Sequence, residues 1–67
     1  MATFRDANQA RLKMKMKLSQ QAWYNSSVVL ADSDGYFVVI HVSKLDNQVR
    51  KLIPPVVDGV GMKAEAE

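Results

Sequence analysis

His41 is the only histidine and the chain has no cysteine, so neither a His-pair nor a Cys/His metal site can form within one chain. Ser26, Ser27 and Ser43 are hydroxyls that a histidine base could activate, with Asp32, Asp34 or Asp46 to orient the ring. No nucleophile elbow surrounds any of these serines. His41 is therefore expected to be an ordinary strand residue, and no catalytic residue is assigned. Asp32-Ser33-Asp34-Gly35 superficially matches the start of a calcium loop. Such a loop ends in a glutamate at position twelve, where this chain has Ser43. Val57-Asp58-Gly59-Val60-Gly61 holds two glycines but lacks both the dinucleotide fingerprint and a phosphate-loop lysine. Gly59 is expected to supply a positive φ there, and Gly61 close packing or a bulge. No metal, cofactor or enzymatic activity is expected.

The remaining chemistry-bearing group is basic. Residues 1–20 carry Arg5, Arg11, Lys13, Lys15 and Lys17 against Asp6 alone, while the chain ends Glu65-Ala66-Glu67 and its net charge is only +2. On a helix, Lys13 and Lys17 share one face and Arg11 and Lys15 a neighbouring one, an arrangement that can track phosphates. Trp23 and Tyr24 lie close by in sequence and could stack on bases. The plainer reading, a solvated helix face whose lysine stems cover apolar surface, is favoured.

The elements that must hold these residues centre on Ser26–Ser43. Val28-Val29-Leu30 and Tyr36-Phe37-Val38-Val39-Ile40 are β-branched and aromatic runs that favour strand. The polar Asp32–Gly35 segment between them is a turn, so the two runs form an antiparallel hairpin. In the second strand Tyr36, Val38, Ile40 and Val42 form the more apolar face, with Phe37, Val39, His41 and Ser43 opposite. In the first strand Tyr24, Ser26, Val28 and Leu30 share one face, and Trp23, Asn25, Ser27 and Val29 the other.

Before the hairpin, Thr3-Phe4-Arg5-Asp6 has the spacing of an N-cap with an acidic third residue. Strong helix formers follow, without glycine, proline or a β-branched residue through Gln21. Leu12–Leu18 alternates with the strand period, yet its straight-chain residues predict helix. Phe4, Ala7, Arg11, Met14 and Leu18 fall on the expected buried stripe, widened by Leu12 and Met16. After the hairpin, Ser43-Lys44-Leu45-Asp46 repeats the cap pattern. Leu45, Val49, Leu52 and Ile53 then mark a short amphipathic helix stopped by Pro54-Pro55. Val56–Gly59 approaches a turn. The final run alternates as a strand with Val60, Met62, Ala64 and Ala66 inward.

The expected fold is a single small α+β domain over 1–67, ordered α-β-β-α-β, with a three-stranded mixed sheet and two helices packed on one face. A crossover through the second helix makes the last strand parallel to the second. The simplest sheet places it beside the first strand, antiparallel to that strand. At 67 residues, 48% hydrophobic and 24% charged, the composition is that of an ordinary soluble domain. Lys13, Lys15 and Lys17 interrupt every apolar run that would make a signal peptide, and no stretch approaches the roughly 20 apolar residues of a membrane span. A cytoplasmic location with no membrane association is expected.

The Asp34-Gly35 turn, the strand Val38-Val39-Ile40-His41-Val42-Ser43 and the run Ile53-Pro54-Pro55-Val56-Val57-Asp58-Gly59-Val60 together carry a likeness. Over Gly35–Glu65 the chain resembles a small bacterial α-β-β-α-β module of uncharacterised role, found alone or beside trypsin-like peptidases. That module has a glycine-rich first strand after a proline-containing turn, whereas this chain has Ala22-Trp23-Tyr24-Asn25-Ser26-Ser27. The resemblance implies the fold and assigns no functional residue.

The expected function is a non-enzymatic protein-interaction or regulatory module that self-associates as a homodimer. Small size, no covalent staple and apolar residues on both hairpin faces support that expectation. Its association surface is expected to hold Trp23, Val29, Phe37, Val39 and His41. The alternative is a nucleic-acid binder whose phosphate contacts are Arg11, Lys13, Lys15 and Lys17. The α-β-β-α-β order also invites comparison with KH-type RNA binders, but their G-x-x-G loop is absent.

Overall fold

A computed structural model describes residues 3–67. The elements are α1 (Phe4–Leu18), β1 (Tyr24–Asp32), β2 (Gly35–Val42), α2 (Asn47–Leu52), β3 (Val56–Val57) and β4 (Val60–Ala66). The fold is α+β, with two helices and a four-stranded mixed sheet in the order β1-β2-β4-β3.

Local chemistry sets most boundaries. Thr3 caps α1 with a reciprocal box: its hydroxyl accepts from the Asp6 N–H at 3.2 Å, and its own N–H donates to the Asp6 carboxylate at 3.4 Å. The alternating stretch Leu12–Leu18 lies wholly within this helix. Asp32 accepts from the Asp34 N–H at 2.8 Å, which tightens the Ser33-Asp34 turn, and Gly35 leaves it at φ 121°. Asp46 caps α2 by accepting from the Val49 N–H at 3.0 Å. The cap is thus three residues later than the expected Ser43. Ile53 turns extended, at ψ 94°, as the following Pro54 requires.

Three expectations about the sheet are corrected. A fourth strand is present, because Val56–Val57 pairs antiparallel with β4 across an Asp58-Gly59 turn. Both turn residues have positive φ, 50° and 80°, the conformation that suits a two-residue hairpin. The last strand lies beside β2, parallel to it, rather than beside β1. Central β2 is consequently paired on both sides, which explains why Val38, Val39, Ile40 and Val42 are all buried.

The third correction concerns faces. The pairing of Val29 with Val38 and of Ser27 with Ile40 puts the odd residues of β1 on the helix side. Val28 pairs with Val39 and Leu30 with Phe37, so these residues point away from the helices. A register shift between Tyr24 and Ser26 then brings Tyr24 back to the helix side, opposite Val42.

One core cluster joins Ala7, Ala10, Met14 and Leu18 of α1, Val49 of α2, Ile53 and the inward residues of β2 and β4. Leu45 and Leu52 pack at its margin, as the second helix's spacing predicts. The α1 stripe is narrower than expected. Phe4 and Leu12 are exposed and Met16 is 80% exposed, while Ala10 is buried. At 100° per residue Leu12 and Met16 lie on the face of α1 opposite the buried stripe, while Phe4, at its margin, packs edge-on against Tyr36 of β2 with ring centroids 5.6 Å apart. Ala66, expected inward, is exposed at the end of β4.

Candidate interaction surface

The sheet face away from the helices is built in three rows by the strand registers. The first is Leu30, Phe37, Gly61 and Val56; the second is Val28, Val39 and Lys63; the third is Ser26, His41 and Glu65. Val39 lies at the centre and is only 2% exposed, although it is no part of the helix-side cluster. Its shelter comes from neighbours on the same face. Val28, Leu30 and Val56 around it stay exposed.

Phe37 sits in this face with the Lys63 ammonium 4.6 Å from its ring centroid, a cation–π contact. Gly61 is beside it, and a Cβ there would lie 3.7 Å from the Phe37 Cβ, an ordinary contact. Of the expected association residues, Phe37, Val39 and His41 share this surface. Trp23 and Val29 do not, because both pack against the helix-side core. Val28, Leu30 and Val56 take their place, and alternation along β1 would have found the first two had the strand parity been set correctly.

His41 is engaged by a residue that sequence reasoning did not single out. Its Nδ1 lies 3.4 Å from Glu67 Oε1, and the other oxygen of that carboxylate accepts from Asn25 Nδ2 at 3.2 Å. Ser43 donates to Asn25 Oδ1 at 3.1 Å, while the Ser27 hydroxyl pairs with the Tyr24 hydroxyl at 3.2 Å. His41, Glu67, Asn25 and Ser43 thus form a polar clasp joining the ends of β1, β2 and β4. Nothing in sequence spacing links Glu67 to His41, since strand order alone makes them neighbours.

The basic residues divide. At 100° per residue, Arg11 and Lys15 fall on one flank of the buried α1 stripe and Lys13 and Lys17 on the other, so the two pairs are not adjacent. Lys13 is committed to Asp58 at 3.1 Å. Arg11 donates through Nε and Nη2 to the Asn8 side-chain oxygen at 3.1 and 2.9 Å. With Lys15 it borders a groove of about 190 Å³ along Tyr24–Ser27, at the start of β1. A larger open cleft of about 560 Å³ lies at the opposite end of the sheet, where Asp6, Asp32, Asp34 and Asp58 gather around Tyr36 and Lys63. The described residues offer no group of three histidine or carboxylate side chains arranged to hold a metal ion.

Among the described residues, no helix is long and apolar enough to cross a membrane. No family model matches the chain, and comparison with curated proteins and with solved structures likewise returns no match.

Proposed function

We propose that this chain is a non-enzymatic interaction module, bacterial and cytoplasmic, that self-associates through its sheet. The observation that carries the reading is the open face centred on buried Val39, with Val28, Leu30 and Val56 exposed around it. An exposed apolar surface on a small domain marks an interaction site, because covering it removes apolar area from water. The resemblance to a small module that also occurs beside peptidases agrees with such a role. Sedimentation at micromolar concentration tests it. A species of twice the 7.5 kDa chain mass is expected, and a well-folded monomer overturns the reading.

The groove that Arg11 and Lys15 form beside Tyr24 favours a second reading, a nucleic-acid contact. It is the weaker of the two, because Lys13 is paired with Asp58 and the basic residues occupy separate flanks. An electrophoretic shift at low salt that vanishes at higher salt would support it, and no shift at low salt removes it.

A further inference from the structure

We infer that β1 is a self-pairing edge: two copies of this chain join antiparallel along Ser26–Asp32, about a two-fold axis at Val29, into one continuous sheet. This deepens the self-association reading and rests on it.

The first observation is the asymmetry of the two sheet edges. On one side the edge is β3, two residues long and preceded by Pro54-Pro55. On the other it is β1, nine residues long, with no proline, lysine or arginine and no charge before Asp32. Edge strands are ordinarily kept from pairing by shortness, proline or charge; β1 is neither short nor interrupted by proline, and its only charge is at its last residue, Asp32.

The second observation is where the backbone groups of β1 point. The two-residue turn makes Asp32 and Gly35 a hydrogen-bonded pair, so Leu30, Val28 and Ser26 also direct their backbone groups to β2. The neighbouring strand agrees, since the Val42 carbonyl, of the opposite parity, accepts from Glu67 on the β4 side. Ser27, Val29 and Ala31 therefore turn their N–H and C=O groups outward. Among the described residues, no bond outside the ladder reaches them. The unbulged run Ser26–Asp32 has Val29 at its midpoint. Antiparallel pairing about that residue sets Val29 against Val29 and Ser27 against Ala31, satisfying all three outward residues in each copy.

The third observation is charge, and it selects the second copy as occupant. Arg11 and Lys15 border the start of β1, where Glu67 also reaches Asn25, while Asp32 and Asp34 stand at its end. Antiparallel pairing about Val29 brings Ser26 of one copy level with Asp32 of the other, so the acidic turn of each copy stands at the end of the seam that Arg11 and Lys15 of the other copy border. Parallel pairing would set like charges together. α1 packs over β1 and β2, so both copies of α1 lie on the same face of the joined sheet. The apolar face bearing Phe37 then runs unbroken across the two copies.

Amide hydrogen exchange on the intact chain tests this alongside sedimentation. A dimer in which the Ser27, Val29 and Ala31 amides become protected as concentration rises is the expected result. A dimer in which those three amides still exchange quickly overturns the edge and leaves association through the open face. A monomer overturns both. Charge exchange checks the register without touching the core. Lys15→Glu should weaken the dimer about tenfold, as expected when two symmetric ion pairs become repulsions, and adding Asp34→Lys to the same chain should restore it. Failure of the double variant to recover overturns the antiparallel register.

Discussion

Val29 of β1 stands opposite Val38 of β2, and this pairing sets the sidedness of the hairpin. It turns Val29 toward α1 and leaves Val28 and Leu30 to form the open face with Phe37 and Val39. Val38 is completely buried, and so is Ile40 on the same side of the strand. Truncating either to alanine is expected to cost about 1–4 kcal/mol, the range for deleting buried aliphatic groups. In a domain of this size that is a large share of total stability. A thermal midpoint lowered by only a degree or two would show that the core lies elsewhere.

Gly35 leaves the hairpin turn at φ 121°, a region that a β-branched residue enters only under strain. Gly35→Val is expected to lose about 1–3 kcal/mol in chemical denaturation. Gly61→Ala is the control, since its new methyl group meets Phe37 at ordinary contact distance and the backbone there is not left-handed. Equal losses in the two variants would contradict this account.

Along α1, burial separates residues that a hydropathy reading treats alike. Met14 and Leu18 are buried, whereas Leu12 and Met16 face outward. Met14→Ala and Leu18→Ala should each cost about 2–5 kcal/mol. Leu12→Glu and Met16→Glu should each stay within about 0.5 kcal/mol of the parent, as exposed substitutions do. Urea midpoints measured on the four variants would distinguish this narrow stripe from a wider one.

Asp46 anchors α2. Its carboxyl titrates below the ordinary range, chiefly because it accepts the Val49 N–H and secondarily because Lys44 is near. A carboxylate whose folded pKa is depressed contributes stability above its unfolded pKa, and that contribution disappears as pH falls through the folded value. The capping contribution should therefore be present at neutral pH and vanish under acid. Asp46→Ala should destabilise the protein at neutral pH, as lost N-caps do. The difference between variant and parent should shrink as the pH drops below the carboxylate range. A gap that does not change with pH would rule out the cap as its origin.

Several element ends were legible in the sequence because their chemistry is local. Thr3 with Asp6, Gly35 after its aspartates, Gly59, and Pro54-Pro55 each act on backbone groups within a few residues, whatever the rest of the chain does. Tertiary structure decided the sidedness and the neighbours. The side-chain period of a strand is two, so pairing Val29 rather than Val28 with Val38 exchanges the whole first strand between core and open face. Strand order has the same non-local character. Placing β4 beside β2 buries Val39 from both sides and brings Glu67 to His41, neither of which any spacing records. On α1, the 100° helical step by itself puts Leu12 and Met16 opposite the buried stripe of Ala7, Ala10, Met14 and Leu18, so their exposure was legible in the sequence. Phe4 is the residue that tertiary structure placed: it lies at the margin of the stripe and packs edge-on against Tyr36 of β2 rather than in the core cluster.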